Sequence, residues 1–222
     1  MHDQTLPIAV LASGRGSNLQ ALIRARQAGK LPVRPVLVAS DRADAPALRH
    51  ATEAGIPVLH LAPGDFPTRR DYDLALFDRV AASGAELLVL AGFMRILDAA
   101  AVSPWRGRMI NVHPSLLPKY RGLHTHRRVL EAGDAEHGAS VHFVTPELDG
   151  GPIIAQARIA VQSDDTEQSL AARLLPLEHR LLVAVTDLIA RGRLRLDAQT
   201  ILLDESALER PLQLDRDGQL SP

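Results

Sequence analysis

Short apolar runs alternate along the chain with stretches in which apolar and polar positions follow a helical period. Five runs, rich in Val, Ile and Leu, predict buried strands over residues 7–13, 33–40, 56–61, 86–93 and 108–113. The stretches between them predict amphipathic helices over residues 17–29, 44–55 and 69–84. This alternation favours an α/β fold, with a Rossmann-like, mostly parallel sheet flanked by helices.

The pattern changes after residue 113. Two apolar runs, at 139–145 and 152–161, are close in sequence and predict an antiparallel pair that extends the sheet in the C-terminal half. A long helix is predicted at roughly 166–191. The acidic tail from residue 196 shows no clear period, so we expect it to be loop-like. Because neither an internal repeat nor a linker interrupts the sequence, we expect residues 1–222 to form a single domain.

Composition narrows the class of protein. A formal net charge of -1 argues against a general polyanion-binding protein, which usually carries a strongly basic face. The chain contains no cysteine, which excludes a thiolate nucleophile, a disulfide scaffold and Cys-ligated metal sites. The first four residues do not begin a signal peptide, and no run reaches the ~18 apolar residues of a membrane span. We therefore expect a soluble cytoplasmic protein.

The loop between the first strand and the first helix reads Ser-Gly-Arg-Gly-Ser-Asn, residues 13–18. Glycines let the backbone approach a ligand closely, and the free N–H groups of a helix N-terminus favour an anion. Ser17 or Asn18 is also a candidate N-cap of that helix. Leu19 breaks the dinucleotide fingerprint, and the Walker A lysine is absent. The loop therefore indicates a site for a single phosphate, with a tight structural turn as the alternative.

A second candidate site follows the fifth predicted strand. Asn111 and His113 share one face of the strand because residues i and i+2 point the same way. An amide donor and an imidazole placed there suit oxyanion stabilisation and proton transfer. Asp149, in the turn Leu-Asp-Gly-Gly-Pro, would raise the pKa of His113 if its loop folds over the sheet edge. The alternatives are a hydrogen-bonded pair that ends a strand and an ordinary turn.

Two further features are less specific. The segment 90–97, Leu-Ala-Gly-Phe-Met-Arg-Ile-Leu, suits a flat, partly apolar ligand, or alternatively ordinary core followed by a helix start. Five of the nine histidines fall within thirty residues: His113, His124, His126, His137 and His142. Histidine is a common metal ligand, but the spacing matches no metal-binding motif. We therefore expect no metal, with a metal-dependent hydrolase as the alternative.

Taken together, four blocks resemble the phosphoribosylglycinamide formyltransferases, folate-dependent enzymes of purine biosynthesis. The blocks are SGRGSNLQALI, LAGFMRIL, INVHPSLLPKYRGLHTH and HGASVHFVTPELDGGPII, and the similarity runs from about residue 7 to 192. The resemblance implies transfer of a formyl group from 10-formyltetrahydrofolate to the amine of phosphoribosylglycinamide (glycinamide ribonucleotide). It divides the domain into a phosphate-binding half, about 1–100, a catalytic and folate half, about 101–195, and a tail, 196–222.

The resemblance also implies roles for individual residues. The catalytic residues would be Asn111, His113 and Asp149. The ribonucleotide would be bound by Gly16, Ser17, Asn18 and Glu178. The folate would be bound by Asn111, Asp149 and nine further residues: Arg69, Met94, Arg95, Ile96, Leu97, Thr145, Pro146, Glu147 and Leu148. Partners would be these small molecules alone, without nucleic acid or membrane, and the protein would be a monomer or a homodimer.

Two departures from the family pattern stand out. Relatives generally carry polar residues where this chain has Leu175-Pro176-Leu177, and close relatives often have proline at Arg121. The main functional alternative is 10-formyltetrahydrofolate hydrolase, which shares much of the later half. The other alternative is a non-catalytic sugar-phosphate-binding module, which would leave Asn111, His113 and Asp149 unexplained.

Overall fold

The computed structural model describes residues 5–222; the first four residues, on which the expectation about a signal peptide rests, lie outside this range. The helices are α1 Ser17–Gln27, α2 Pro46–Glu53, α3 Arg69–Ala82, α4 Ala99–Val102, α5 Thr125–Ala132 and α6 Glu167–Ala190. The strands are β1 Leu6–Leu11, β2 Val33–Ser40, β3 Val58–His60, β4 Leu87–Leu90, β5 Met109–His113, β6 Glu136–Phe143, β7 Ile153–Ala160, β8 Leu194–Asp197, β9 Thr200–Leu203, β10 Ser206–Ala207, β11 Leu212–Leu214 and β12 Leu220–Ser221.

The predicted α/β class is confirmed. Within residues 5–222 one sheet has nine strands, in the order β12-β11-β7-β6-β5-β4-β1-β2-β3, and a second sheet has three, β10-β9-β8. Strands β1 to β5 run parallel, whereas β6 pairs antiparallel with both β5 and β7. The expected antiparallel extension is therefore present. No helix in this part of the chain has the length and apolar character needed to cross a membrane.

Alternate residues of β1 show how helices cover both faces of the large sheet. Ile8 and Val10 pack in one core cluster, together with residues of α1 and α6. Ala9 and Leu11 point the other way, into a second cluster that includes Tyr72 of α3. Because both faces are buried, a β1 sequence of nearly continuous apolar residues is stable there.

The expected loop-like tail is a wrong prediction. Residues 194–221 form β8 to β12, and β11 joins the large sheet beside β7. The physical reason is local burial, because Leu194, Ile201 and Leu212 each insert into the main core. Ion pairs from Arg193 to Asp204 and from Arg195 to Glu205 connect β8 with the turn after β9. The acidic residues of the tail are thus partly the partners of arginines on the neighbouring strand.

The strand order places the candidate residues at one edge of the sheet. Strand β1 lies between β2 and β4, so the chain reverses its direction of travel across the sheet there. Ligands of open α/β sheets bind at such a point, outside the carboxyl ends of the strands. The loops after β1 and β4 meet there, because the N–H of Ser13 donates to Gly92 O at 3.0 Å and its hydroxyl accepts from Met94 N at 2.9 Å.

Candidate active site

The end of β5 brings Asn111 and His113 into one cavity of about 490 Å³. Pairing of β5 with β6 sets Asn111 opposite His142 and His113 opposite Ser140. The side chain of His113 is 7% exposed, so most of its surface faces protein atoms. The predicted pair therefore lies at the wall of a cavity large enough for part of a small-molecule substrate.

The imidazole of His113 lies between two acceptors. Its Nε2 lies 3.0 Å from the carbonyl oxygen of Tyr120, and its Nδ1 lies 3.5 Å from Oδ2 of Asp149. Because a carbonyl only accepts, Nε2 carries a proton, and only the protonated ring can donate to both neighbours. Burial lowers the pKa of His113, while Asp149 and the Tyr120 carbonyl act to raise it. The carboxylate of Asp149 therefore acts in the predicted direction, but burial outweighs it, and the net pKa of His113 is below the ordinary histidine value.

Asp149 is held in the loop between β6 and β7, and the structure brings it to the end of β5. Its backbone lies in the left-handed region, with φ 48°, and its Oδ2 accepts from the N–H of Gly122 at 2.8 Å. Burial acts to raise the pKa of the carboxyl, but His142, His113 and the Gly122 N–H together lower it below its usual range. Asp149 is therefore an ionised carboxylate at neutral pH.

His142 is a member of this cluster that the sequence did not reveal. Its Nδ1–H donates to the carbonyl of Phe143 at 2.9 Å, which leaves Nε2 to accept from the amide of Asn111 at 3.1 Å. Nε2 also lies 3.6 Å from Oδ1 of Asp149. The second amide hydrogen of Asn111 has only Asp149 Oδ1 nearby, at 3.5 Å, the limit of a hydrogen bond. A ligand oxygen at a shorter distance would replace this long contact.

The first helix begins without a side-chain cap. Gly16 is the N-cap residue, with φ 73°, so the prediction that Ser17 or Asn18 takes that position is wrong. A Cβ on Gly16 would lie 2.7 Å from Cα of Ala47 in α2, so only glycine fits between the two helices. The open N–H groups of this helix end suit an anion.

Asn18 and Glu178 connect the helix end to the cavity. Both line it, and Asn18 Nδ2 donates to Glu178 Oε2 at 3.5 Å, while Oδ1 of Asn18 is buried without a partner. Burial raises the pKa of Glu178 to about 7, against smaller opposing effects from Asn18 and Arg15. Helix α6 continues through Pro176, which is exposed, while Leu177 packs against the core. The departure at 175–177 therefore leaves Glu178 in the cavity wall.

Apolar side chains form the rim of the cavity. Within residues 5–222, five large apolar side chains are exposed, and four of them line this cavity: Met94, Ile96, Leu123 and Leu148. Exposure of these apolar side chains to water is unfavourable, and a flat apolar ligand bound here would bury them. A smaller cavity of about 90 Å³ adjoins it, lined by Arg95, Leu97 and residues 145–149 among others. An ion pair between Arg121 and Glu147 links the two loops over the site.

Some predicted residues lie apart from this cavity. Gly16 and Ser17 are at the helix end rather than in the cavity wall, and Arg69 is exposed at the first position of α3. Within residues 5–222, no three His, Cys, Asp or Glu side chains are grouped so that they could hold a metal ion. A larger cavity of about 920 Å³ lies between the 144–153 segment and the tail, but it lacks Asn111, His113 and Asp149.

Comparison with known proteins agrees with this geometry. A family model described as formyl transferase matches residues 6–186. The chain belongs to the formyl transferase family. It is 48% identical over 201 residues to the phosphoribosylglycinamide formyltransferase of Escherichia coli K12, an alignment that covers 90% of this chain and 95% of that protein. The corresponding protein of Haemophilus influenzae is 41% identical over 201 residues, with the same coverage of each chain.

Solved structures of formyl transferases share the fold. The phosphoribosylglycinamide formyltransferase of Coxiella burnetii superposes with a TM-score of 0.88 and 48% identity, covering 92% of this chain and 96% of the other. Glycinamide ribonucleotide transformylase 1 of Symbiobacterium toebii superposes with a TM-score of 0.87 and 41% identity, covering 90% and 94% of the respective chains. The resemblance inferred from four sequence blocks is thereby confirmed at the level of the family.

Proposed function

We propose that this protein transfers a formyl group from 10-formyltetrahydrofolate to the amine of phosphoribosylglycinamide, in purine biosynthesis. The relatives described above carry the name of that activity. The observation that carries the proposal is one cavity that combines the trio Asn111, His113 and Asp149 with Asn18 and Glu178 and with an apolar rim. Such a cavity provides for a polar nucleotide, a flat ring system and the acyl transfer between them.

The two substrates bind at opposite sides of the trio in this proposal. The phosphate of the ribonucleotide binds at the open end of α1, through Gly16, Ser17 and Asn18, and Glu178 contacts the same substrate. The folate binds along the rim and the adjoining small cavity, through residues 94–97 and 145–149, with Asn111 at its reacting end. Arg69 supplies a further contact to the folate.

The reaction needs an oxyanion donor and a proton carrier rather than a protein nucleophile. The amine of the ribonucleotide attacks the formyl carbon, a C–N bond forms, and the C–N10 bond then breaks. Asn111 donates its second amide hydrogen to the oxyanion that develops on the formyl oxygen, and His113 adds positive charge in its protonated form. One such donor contributes about 3–4 kcal/mol in the transition state. Asp149 accepts the proton that the attacking amine releases, directly or through water, and N10 takes up a proton as it leaves.

The hydrolase alternative is not favoured, because the relatives and solved structures described above are formyltransferases at 41–48% identity. The direct test follows tetrahydrofolate formation from 10-formyltetrahydrofolate in the presence and absence of phosphoribosylglycinamide. We expect product only when the ribonucleotide amine is present. Equal rates with and without it would show hydrolysis instead.

Two narrower properties stay predictions. We propose that the protein acts as a monomer or homodimer in the cytoplasm and requires only the two small-molecule substrates. Sedimentation at the enzyme concentrations of the assay would test the first part, because an assembly larger than a dimer would contradict it.

A further inference from the structure

One loop makes hydrogen bonds to both residues of the buried His113–Asp149 pair. This segment, residues 114–124, follows β5 and returns over the cavity, and we refer to it as the covering loop. Its Tyr120 carbonyl lies 3.0 Å from Nε2 of His113, and its Gly122 N–H donates to Asp149 at 2.8 Å. The covering loop therefore fixes the imidazole from one side and the carboxylate from the other.

The backbone of Tyr120 is in an unusual conformation. Its φ is 56°, in the left-handed region that residues with a side chain rarely adopt. Conformations of this kind persist only where surrounding contacts hold them in place. The covering loop is therefore expected to depend on anchors outside the cavity.

Asp134, two residues beyond the end of α5, provides such an anchor. Its Oδ2 accepts from the hydroxyl of Tyr120 at 2.9 Å and from Nζ of Lys119 at 2.8 Å. The guanidinium of Arg128 lies over the aromatic ring of Tyr120, 5.2 Å from the ring centre. The hydroxyl of Ser115 also donates to Lys119 O at 2.7 Å, within the loop itself. Asp134 is the only one of these groups that binds the Tyr120 side chain through a hydrogen bond in the described residues.

We propose that Asp134 is a positioning residue for formyl transfer, which acts through Tyr120 on His113. By holding the ring of Tyr120, Asp134 fixes the carbonyl that accepts the hydrogen bond from Nε2–H of His113. Nδ1 is then the nitrogen left to exchange a proton with Asp149. This inference rests on the proposed function, because it assumes that His113 takes part in the reaction.

Several groups near His113 affect the pKa of its ring. Asp149 faces Nδ1 and acts to raise the pKa of His113, while His142 and Arg128 act to lower it. The Tyr120 carbonyl also raises it, through the hydrogen bond to Nε2. Loss of the anchor lengthens that hydrogen bond, so the pKa of His113 should fall while the charges nearby stay the same.

Three variants separate the anchor from the charge of Asp134. Tyr120→Phe removes the hydroxyl alone, and Asp134→Ala removes its acceptor. Asp134→Asn removes the charge and the ion pair with Lys119, but its amide oxygen still accepts from Tyr120. We expect Tyr120→Phe and Asp134→Ala to lower kcat about three- to ten-fold, the value of one hydrogen bond, with each KM within about two-fold of wild type. Asp134→Asn should stay near wild type, and the double variant Tyr120→Phe/Asp134→Ala should lose no more than either single one.

A second measurement does not require turnover. Nitrogen-15 NMR of the ligand-free protein reports the tautomer and the titration of His113 directly. We expect the Nε2–H tautomer in wild type and in Asp134→Asn, and a pKa of His113 lower than that of wild type in Tyr120→Phe and Asp134→Ala. A wild-type protein without formyl transfer would refute the proposed function, whatever the NMR result.

When the wild-type protein does transfer the formyl group, the variants test the role of Asp134 separately. If wild type is active and the variants leave both kcat and the His113 titration unchanged, Asp134 has no positioning role. Equal losses in Asp134→Asn and Asp134→Ala would show that charge rather than the tether to Tyr120 matters. A change in KM alone would show that the covering loop serves binding and not the placement of His113.

Discussion

Nδ1 of His113 lies 3.5 Å from Oδ2 of Asp149, and the two side chains are only 7% and 9% exposed. Because the Tyr120 carbonyl engages Nε2 of the same ring, the side of the imidazole that faces Asp149 is the one that gains and loses a proton. Burial disfavours the charged ring and the carboxylate favours it. The pair is thus a buried site for one exchangeable proton beside the cavity.

Replacing Asp149 should change the pH dependence of the reaction. In Asp149→Asn the carboxylate that raises the pKa of His113 is absent, so this pKa should fall further below its ordinary value. Activity that needs the protonated ring should then be lost at a lower pH than in wild type. We also expect kcat to fall by about 10²–10⁴-fold, the usual contribution of a positioned acid or base. The measurement is kcat as a function of pH.

A matched control for this variant is Asp44→Asn. Asp44 pairs with Arg42 on an exposed surface, so this change removes the same charge without touching the cavity. We expect it to keep the wild-type profile. An unaltered profile in Asp149→Asn would contradict the role given to the carboxylate.

The end of β5 should carry most of the transition-state stabilisation. Asn111→Ala removes the donor to the oxyanion, and His113→Ala removes the protonated ring. Each should lower kcat by about 10²–10³-fold, while the affinity for phosphoribosylglycinamide changes little, because we propose that its phosphate binds at α1. Steady-state kinetics and a direct ribonucleotide titration of each variant check this. Near-wild-type turnover in either one would disprove the assignment.

The sequence predicted those parts of the site that have a local sequence pattern. Asn111 and His113 could be placed together because alternate residues of a strand share a face, and the loop at 13–18 because it joins a strand to a helix. The role of His142 depends on the register of β6 against β5, where it pairs with Asn111. No local sequence pattern shows that register, so His142 was not predicted as the partner of the Asn111 amide.

The net pKa of His113 and the strands of the tail escaped the sequence for a related reason. The raising effect of Asp149 on the pKa of His113 was predicted, but the depth of burial, which outweighs it, follows only from the packed structure. In the tail, Leu194 and Leu196 alternate with arginines, a strand pattern that was masked by the acidic turns around it. Its strands are stabilised by a core that lies far away in sequence.

The open helix end should tolerate no side chain at Gly16. Gly16→Ala combines a left-handed φ of 73° with a Cβ placed 2.7 Å from Cα of Ala47. We expect it to lower the free energy of unfolding by roughly 2–4 kcal/mol and to raise the KM for the ribonucleotide. Gly29→Ala is the control, because Gly29 has φ 69° but no atom within 4 Å of the added Cβ. Urea unfolding should show a loss of only roughly 1 kcal/mol there; equal losses would argue against the close approach of α1 and α2.

The protein should be more stable when the carboxyl of Glu178 is protonated, and therefore neutral, than when it is ionised. Its pKa is raised to about 7 by burial, so the folded state holds a proton that an unfolded carboxyl releases near pH 4.5. This stabilising effect is complete below pH 4.5 and is lost as the pH rises through 7. Glu178→Gln avoids burial of the charge, so it should be about 1–3 kcal/mol more stable than wild type at pH 8, but not at pH 5.

Urea unfolding at the two pH values measures this difference. The same variant should bind the ribonucleotide more weakly, since the proposed contact is lost. A Glu178→Gln protein whose stability relative to wild type is the same at pH 5 and pH 8 would contradict the raised pKa.

The formyl carbon should pass from the folate to the ribonucleotide amine at the end of β5. The most direct measurement supplies 10-formyltetrahydrofolate labelled with carbon-13 in the formyl group and follows the label by NMR, with and without phosphoribosylglycinamide. We predict that the label appears as the formamide of the ribonucleotide, one for each tetrahydrofolate formed, and that His113→Ala slows the appearance of this signal by about 10²–10³-fold. Label that accumulates as formate, at a rate independent of the ribonucleotide, would contradict the account.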